Sequence, residues 1–186
     1  RFPKETGLTY TCNVRANLID EEIVKALAES RCIGTNWSIE TGDQHLRNDV
    51  LKRGMSNGEI ENTYRLLSKY KIPYRIGNLI GSPGERLAEM FKTLELNIKA
   101  RPYLGLANIF VPFPGLELTQ YAIDRGYYTP APGAALPKTF FVRSLMNVSH
   151  HKNRMIQKLM CLFPLFVSFP VLYHSILLRK IFFRIP

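Results

Sequence analysis

Hydrophobic and polar positions change period along the chain, and the changes come in a regular order. Residues 8–15, LTYTCNVR, read as a strand, and IDEEIVKALAESRC follows with helical spacing. Asp20 is placed as the N-cap of that helix, and Ile23, Ala26 and Leu27 make its apolar stripe. IGTNWSIE, residues 33–40, is the next strand. A charged helical segment ending at Arg53 comes after it. SNGEIENTYRLLSKY then opens with Ser56 and Glu59 at capping-box spacing and carries Ile60, Tyr64 and Leu67 on one face.

The alternation continues. IPYRIGNLIG is a third strand. The segment from Ser82 to Ala100 is predicted as a helix with Ser82 at the N-cap, Pro83 at the first position and Glu85 at the third. Its buried stripe is Leu87, Phe91, Leu94 and Ile98. YLGLANIFVPF is a fourth strand, and LELTQYAIDRG a short helix ended by Gly126. Four strand–helix alternations predict an α/β chain with a parallel sheet and right-handed crossovers. Periodicity fits a piece of a (β/α) barrel and an open doubly wound sheet equally.

Past that body the pattern is different. Residues 128–139 are rich in Pro, Ala and Gly and are expected to link the body, 1–127, to an apolar and basic helical extension, 140–186. Residues 161–178 contain no charge over eighteen positions, which touches the length of a membrane span. Pro164 and Pro170 are expected to interrupt a helix there, so a pair of broken helices packing on the body is the first expectation. An interfacial helix is second and a true span third.

The charge is uneven. Of the +10 net charge, residues 125–186 supply nine basic side chains and no acidic one, while all fifteen acids lie at or before Asp124. Such a tail suits anionic lipid or another anionic partner, and equally a solvated basic face. The three cysteines, Cys12, Cys32 and Cys161, are far apart in sequence and form no C-x-x-C pair. That spacing gives no zinc or iron–sulfur ligand set and no disulfide framework, as befits thiols of a cytosolic protein. The chain begins at Arg1 with residues that already lead into a strand, and is expected to be part of a longer protein without a signal peptide.

In parallel α/β folds, the strand C-termini and the loops after them build the site. Arg15 follows the first strand, Glu40 and Gly42 the second, Gly81, Ser82 and Gly84 the third, and the run Pro112 to Gly115 the fourth. A carboxylate at a strand end can accept two hydrogen bonds from a ribose diol. An arginine such as Arg53 can hold a ligand carboxylate bidentately, and glycines let a ligand approach the backbone. A nucleoside joined to an amino acid would use all three. Each residue also has a plain structural role: an ion pair for Glu40, a solvated charge for Arg53, helix-start chemistry for 81–85.

Taken in order, these segments resemble the radical S-adenosylmethionine (SAM) enzymes. SIETGDQHLRNDVLKRGMS resembles their fourth-strand segment, IGNLIGSPGE the fifth strand with its G-x-P-G-E turn, and IFVPFPGLELTQYAIDRG the sixth. TCNVRANLIDEEIVKALAES resembles the third strand and helix, so the likeness runs from residue 8 to about 126. The style is that of members with an N-terminal cobalamin-binding domain. The resemblance implies the C-terminal portion, about strands three to six, of a partial (β/α)6 TIM-like barrel.

It also implies SAM as cofactor and a [4Fe-4S] cluster that cleaves it, with cobalamin in one branch. Glu40 would then bind the SAM ribose or amino group, Arg53 its carboxylate, and Ile80 and Gly81 would lie by the adenine, with Arg15 a further candidate. Implied partners are a small, apolar substrate and a reductant such as ferredoxin or flavodoxin. A cytoplasmic location follows, with the basic tail on a membrane surface as a variant; nucleic acid is not expected. The family's three-cysteine cluster motif does not occur here, so its ligands would lie outside this chain and the chain alone would be inactive. Thr41, Arg86 and Leu116 depart from the family's usual residues. Two other functions remain: a module that binds membrane surfaces or another anionic partner, and a (β/α) barrel enzyme without radical chemistry.

Overall fold

Four parallel strands lie in sequence order in the computed structural model: β1 (Tyr10–Asn13), β2 (Cys32–Glu40), β3 (Tyr74–Ile80) and β4 (Leu104–Ile109). The structure describes residues 5–130 and 143–175. Helices α1 (Glu21–Glu29), α2 (Asn57–Lys69) and α3 (Leu87–Ala100) connect the strands, and α4 (Glu117–Asp124) follows the last. The α/β chain with a parallel sheet expected from the pattern is therefore present.

Local start signals behave as capping chemistry requires. Asp20 Oδ1 accepts from Ile23 N at 2.8 Å at the start of α1. Ser56 Oγ accepts from Glu59 N at 3.2 Å, while Glu59 Oε2 accepts from Ser56 N at 2.6 Å, closing the capping box of α2. Two expectations change. The stripe of α1 turns by one position, because Val24 is buried and Ile23 is exposed. Helix α3 begins at Leu87, not at Ser82. Residues 82–85 instead close a separate turn, with Glu85 N donating to Ser82 O at 3.0 Å.

One face of the sheet is covered by helices. Trp37, Ile39, Tyr74 and Ile76 pack with Ile60 and Leu67 of α2. Ile80, Ala107 and Ile109 pack with Met90 and Leu94 of α3 and with a long fifth helix, α5 (His150–Ser168). That helix buries Ile156, Leu159, Phe163 and Phe166 against β4 and α3. Helix α6 (Pro170–His174) follows, with Tyr173 buried and bonded to Glu95 at 2.7 Å.

Pro164 lies inside α5 without breaking it, and the break falls at Phe169–Pro170. Core packing thus takes up Phe163, Phe166, Val167 and Tyr173 of the apolar segment, while Leu165, Phe169 and Val171 are exposed. Among the described residues, no helix is long and apolar enough to cross a membrane. Residues 131–139 of the expected linker, and 140–142 and 176–186 of the expected basic extension, lie outside the described residues.

Candidate functional site

The second strand does not simply end; it is bent at its last residue. Pairing between β2 and β3 runs Ser38 with Gly77 and then Glu40 with Asn78, so a bulge falls between Ser38 and Glu40. Glu40 itself has φ 66°, a left-handed backbone that a side chain disfavours. Bulges and left-handed residues of this kind re-aim side chains at functional edges and cost of order 1–3 kcal/mol. Here they deliver the Glu40 carboxylate to Arg53, with Nη2 3.2 Å from Oε1. Arg15 joins them, its Nη2 donating to the Arg53 carbonyl at 2.7 Å. Arg53 Nε is buried without a partner, a donor left over inside the pair.

The loop that carries Arg53 is built around a residue that sequence reasoning passed over. Arg47 is fully buried. Its Nε donates to Thr41 O at 3.0 Å, Nη1 to Met55 O at 2.9 Å and Nη2 to Asn57 Oδ1 at 2.8 Å. Burial pulls its pKa down to about 10, with Asp43 opposing the shift. Around it, Leu46–Val50 form one wide turn of π-helix, closed by Leu51 N on Leu46 O at 3.0 Å, in place of the regular helical segment expected there. Asp43 accepts from Leu46 N at 3.0 Å and from Lys92 Nζ at 2.9 Å, and these donors hold its pKa below the ordinary carboxylate range.

Gly42 serves the scaffold and leaves no room for a ligand. A Cβ there would meet the Lys92–Thr93 backbone of α3 at 2.5 Å. The loop backbone touches the helix directly, and Gly42 N donates to Thr93 Oγ1 at 2.8 Å.

Glu85 ties this loop to the next strand end. It is fully buried, with Oε1 accepting from Thr41 Oγ1 at 3.2 Å and Oε2 from Ser82 N at 3.0 Å. Burial pushes its pKa up to about 7, against the lowering effect of those donors. Lys152 of α5 donates to the Glu85 carbonyl at 2.6 Å. The fifth helix therefore braces the same turn.

The structure brings Glu40, Arg53 and Arg15 together and leaves the side chain of Ile80 elsewhere. Ile80 is fully buried under α3 and α5, and Gly81 faces Ile156 of α5 at 3.3 Å for an added Cβ. Strand alternation puts Leu79, not Ile80, on the open face. The signal was available: Ile76, Asn78 and Ile80 share a phase, and the helices cover that phase.

On the open face, Asn13, Asn36, Ser38, Arg53, Arg75, Gly77 and Leu106 line a depression of ≈ 430 Å³. Parallel sheets normally bury both faces in apolar side chains, whereas polar side chains from β1, β2 and β3 reach this depression beside Leu106. Cys12 and Cys32, distant in sequence, meet across β1 and β2 with sulfurs 4.0 Å apart, and burial beside Cys32 pushes the Cys12 thiol up to about 11. Among the described residues, no three His, Cys, Asp or Glu side chains gather as metal ligands. These residues do not fit a [4Fe-4S] cluster. They do fit an amphoteric ligand, through the carboxylate of Glu40 and the spare donor of Arg53.

The fold has counterparts among solved proteins. The radical SAM methyltransferase TsrM of Kitasatospora setae, solved with cobalamin and a [4Fe-4S] cluster, superposes with a TM-score of 0.55 at 20% identity, over 77% of this chain and 29% of that one. Coproporphyrinogen III oxidase (HemN) of Escherichia coli, a radical SAM enzyme, gives 0.55 at 13% identity, over 89% of this chain and 32% of that one. The structure shares the fold of these radical SAM enzymes over the 29–32% of their length that it covers. An uncharacterised methyltransferase of Pyrococcus horikoshii is 24% identical over 181 residues, 96% of this chain. The chain spans 38% of the length of that relative. No family model matches the sequence.

Proposed function

We propose that this chain is the SAM-gripping, C-terminal part of a radical SAM enzyme. The carrying observation is the Glu40–Arg53 pair, presented by a left-handed bulge at a strand end and left with one unsatisfied guanidinium donor. SAM inserted there would give Glu40 hydroxyl or ammonium donors and give Arg53 a carboxylate. Arg15 positions Arg53 through its carbonyl. When bound, SAM supplies radical or methyl-transfer chemistry. The cluster that this requires would be held by residues outside this chain.

Cobalamin-dependent methyl transfer or rearrangement is the branch we favour, since TsrM carries cobalamin and the Pyrococcus relative is described as a methyltransferase. A reductant of the ferredoxin or flavodoxin type and a cytoplasmic location with the basic tail at a membrane surface complete the proposal. The test uses the complete protein, purified without oxygen. Glu40→Ala and Arg53→Ala should each weaken SAM binding about tenfold or more with the fold retained, the loss expected for a charge-assisted contact. Unchanged SAM affinity in both variants would sink the assignment, and an ordinary barrel enzyme without radical chemistry would replace it.

A further inference from the structure

The open face of the sheet carries a polar row that the Glu40–Arg53 pair does not use. Strand register sets Asn13 beside Asn36 and Asn36 beside Arg75 on three adjacent strands. All three line the depression that also reaches Arg53. Tyr74 and Ile76 are buried under the helices, and Arg75 between them is exposed on the opposite face. Among the described residues, the Arg75 guanidinium has no ion pair or hydrogen bond, and neither do the Asn13 and Asn36 amides.

Barrel interiors are ordinarily filled by layers of branched apolar side chains. Here one layer reads Asn13–Asn36–Arg75–Leu104, and the next reads Ser38–Gly77–Leu106. Gly77 adds no side chain, which keeps the space above Arg75 clear. A planar guanidinium fits an oxyanion bidentately, and flanking amides add neutral donors.

We propose that Arg75, with Asn36 beside it and Asn13 one strand further, binds a carboxylate or phosphate group of the substrate. Glu40 pairs at the level of Asn78, three residues along β3. At the rise of a strand, Arg75 and Asn78 lie roughly 10 Å apart along the backbone, which puts the anionic group below the Glu40–Arg53 pair. The substrate's reacting end would then lie near the ligand held there, so this inference specifies the substrate class of the site proposed above. Its oxyanion part stands independently of SAM.

Binding of butyrate, butyl phosphate and neutral butyramide to the complete protein would be followed by ligand-observed NMR, with SAM affinity measured in parallel. At least one oxyanion should bind about tenfold or more tighter than butyramide, and preference between the two names carboxylate or phosphate. Arg75→Met should lower that binding about tenfold or more, and Arg75→Lys should recover only part of it, since an ammonium cannot pair bidentately. Asn36→Ala should weaken it a few-fold. Arg65→Met, which removes an exposed charge on α2, should leave it unchanged. SAM affinity should stay within about twofold in Arg75→Met, as expected for sites this far apart.

Equal binding of the oxyanions and butyramide, or unaltered oxyanion binding in Arg75→Met, overturns the inference. Lost SAM affinity in Arg75→Met also overturns it, because Arg75 would then belong to the SAM grip. Retained oxyanion binding in a protein that binds no SAM would leave the anion site standing and remove the SAM reading.

Discussion

The hydroxyl of Thr41 donates to Glu85 Oε1 at 3.2 Å, which ties the end of the second strand to the turn after the third. Thr41 and Glu85 are both fully buried, so the link is shielded from water. It sits one residue past Glu40 and spans the two strand ends on which the site rests. The buried carboxyl titrates near 7 and not near its ordinary 4.5, because burial disfavours the charge.

A pH dependence follows from that link. Between about 4.5 and about 7 the folded protein keeps a proton that the unfolded chain has released. Glu85 therefore contributes stability that falls as pH rises through this window and is lowest above it. Glu85→Gln holds the site neutral, so its melting temperature should fall less than the wild type's between pH 5 and pH 8. Parallel slopes for the two proteins would show that Glu85 is not the group responsible.

Gly42 sets a second test. An added methyl would lie 2.5 Å from the Lys92–Thr93 backbone, where no flexible side chain can give way. Gly42→Ala should cost about 1–3 kcal/mol, read by urea unfolding. It should also weaken SAM binding, because the displaced loop carries Arg53. Wild-type stability in this variant would show that the loop and α3 part easily.

How far these features could be read from sequence depends on their range. Asp20, Ser56 and Glu59 were legible because a cap acts within three residues of itself. Glu40 and Arg53 were legible as a strand end and a nearby cation, although their 3.2 Å contact required the bulge. Arg47 was not legible. It sits in a run of charged and polar residues without periodicity, and its burial depends on acceptors at 41, 55 and 57. Cys12 and Cys32 meet only because β1 and β2 are neighbours. Ile80 and Gly81 were placed by the adenine from the resemblance alone, which does not say which face of β3 the Ile80 side chain takes.

That phase can be tested directly. Ile80→Ala opens a hole in the core shared by β3, α3 and α5, and should cost about 2–5 kcal/mol. Leu79→Ala, on the open face, should cost under about 1 kcal/mol. Comparable losses in the two variants would put both side chains in the core.

Arg47 gives the sharpest separation between scaffold and site. Its guanidinium has three acceptors, on Thr41, Met55 and Asn57, and no solvent exposure. Arg47→Met keeps most of the volume and removes every donor. Two backbone carbonyls and one side-chain amide oxygen lose their partner, at a cost of about 2–4 kcal/mol. Arg47→Lys keeps the charge but cannot span acceptors that lie in the plane of a guanidinium, so it should recover less than half of that loss. Arg53 N donates to Arg47 O at 3.0 Å, so loosening Arg47 also loosens the residue that faces Glu40. Both variants should therefore lower SAM affinity in proportion to their loss of stability, whereas Arg53→Ala should lower affinity with stability nearly unchanged. Thermal melts and SAM titrations on the same preparations decide it. A stable Arg47→Met protein with weak SAM binding would move Arg47 from scaffold to ligand contact.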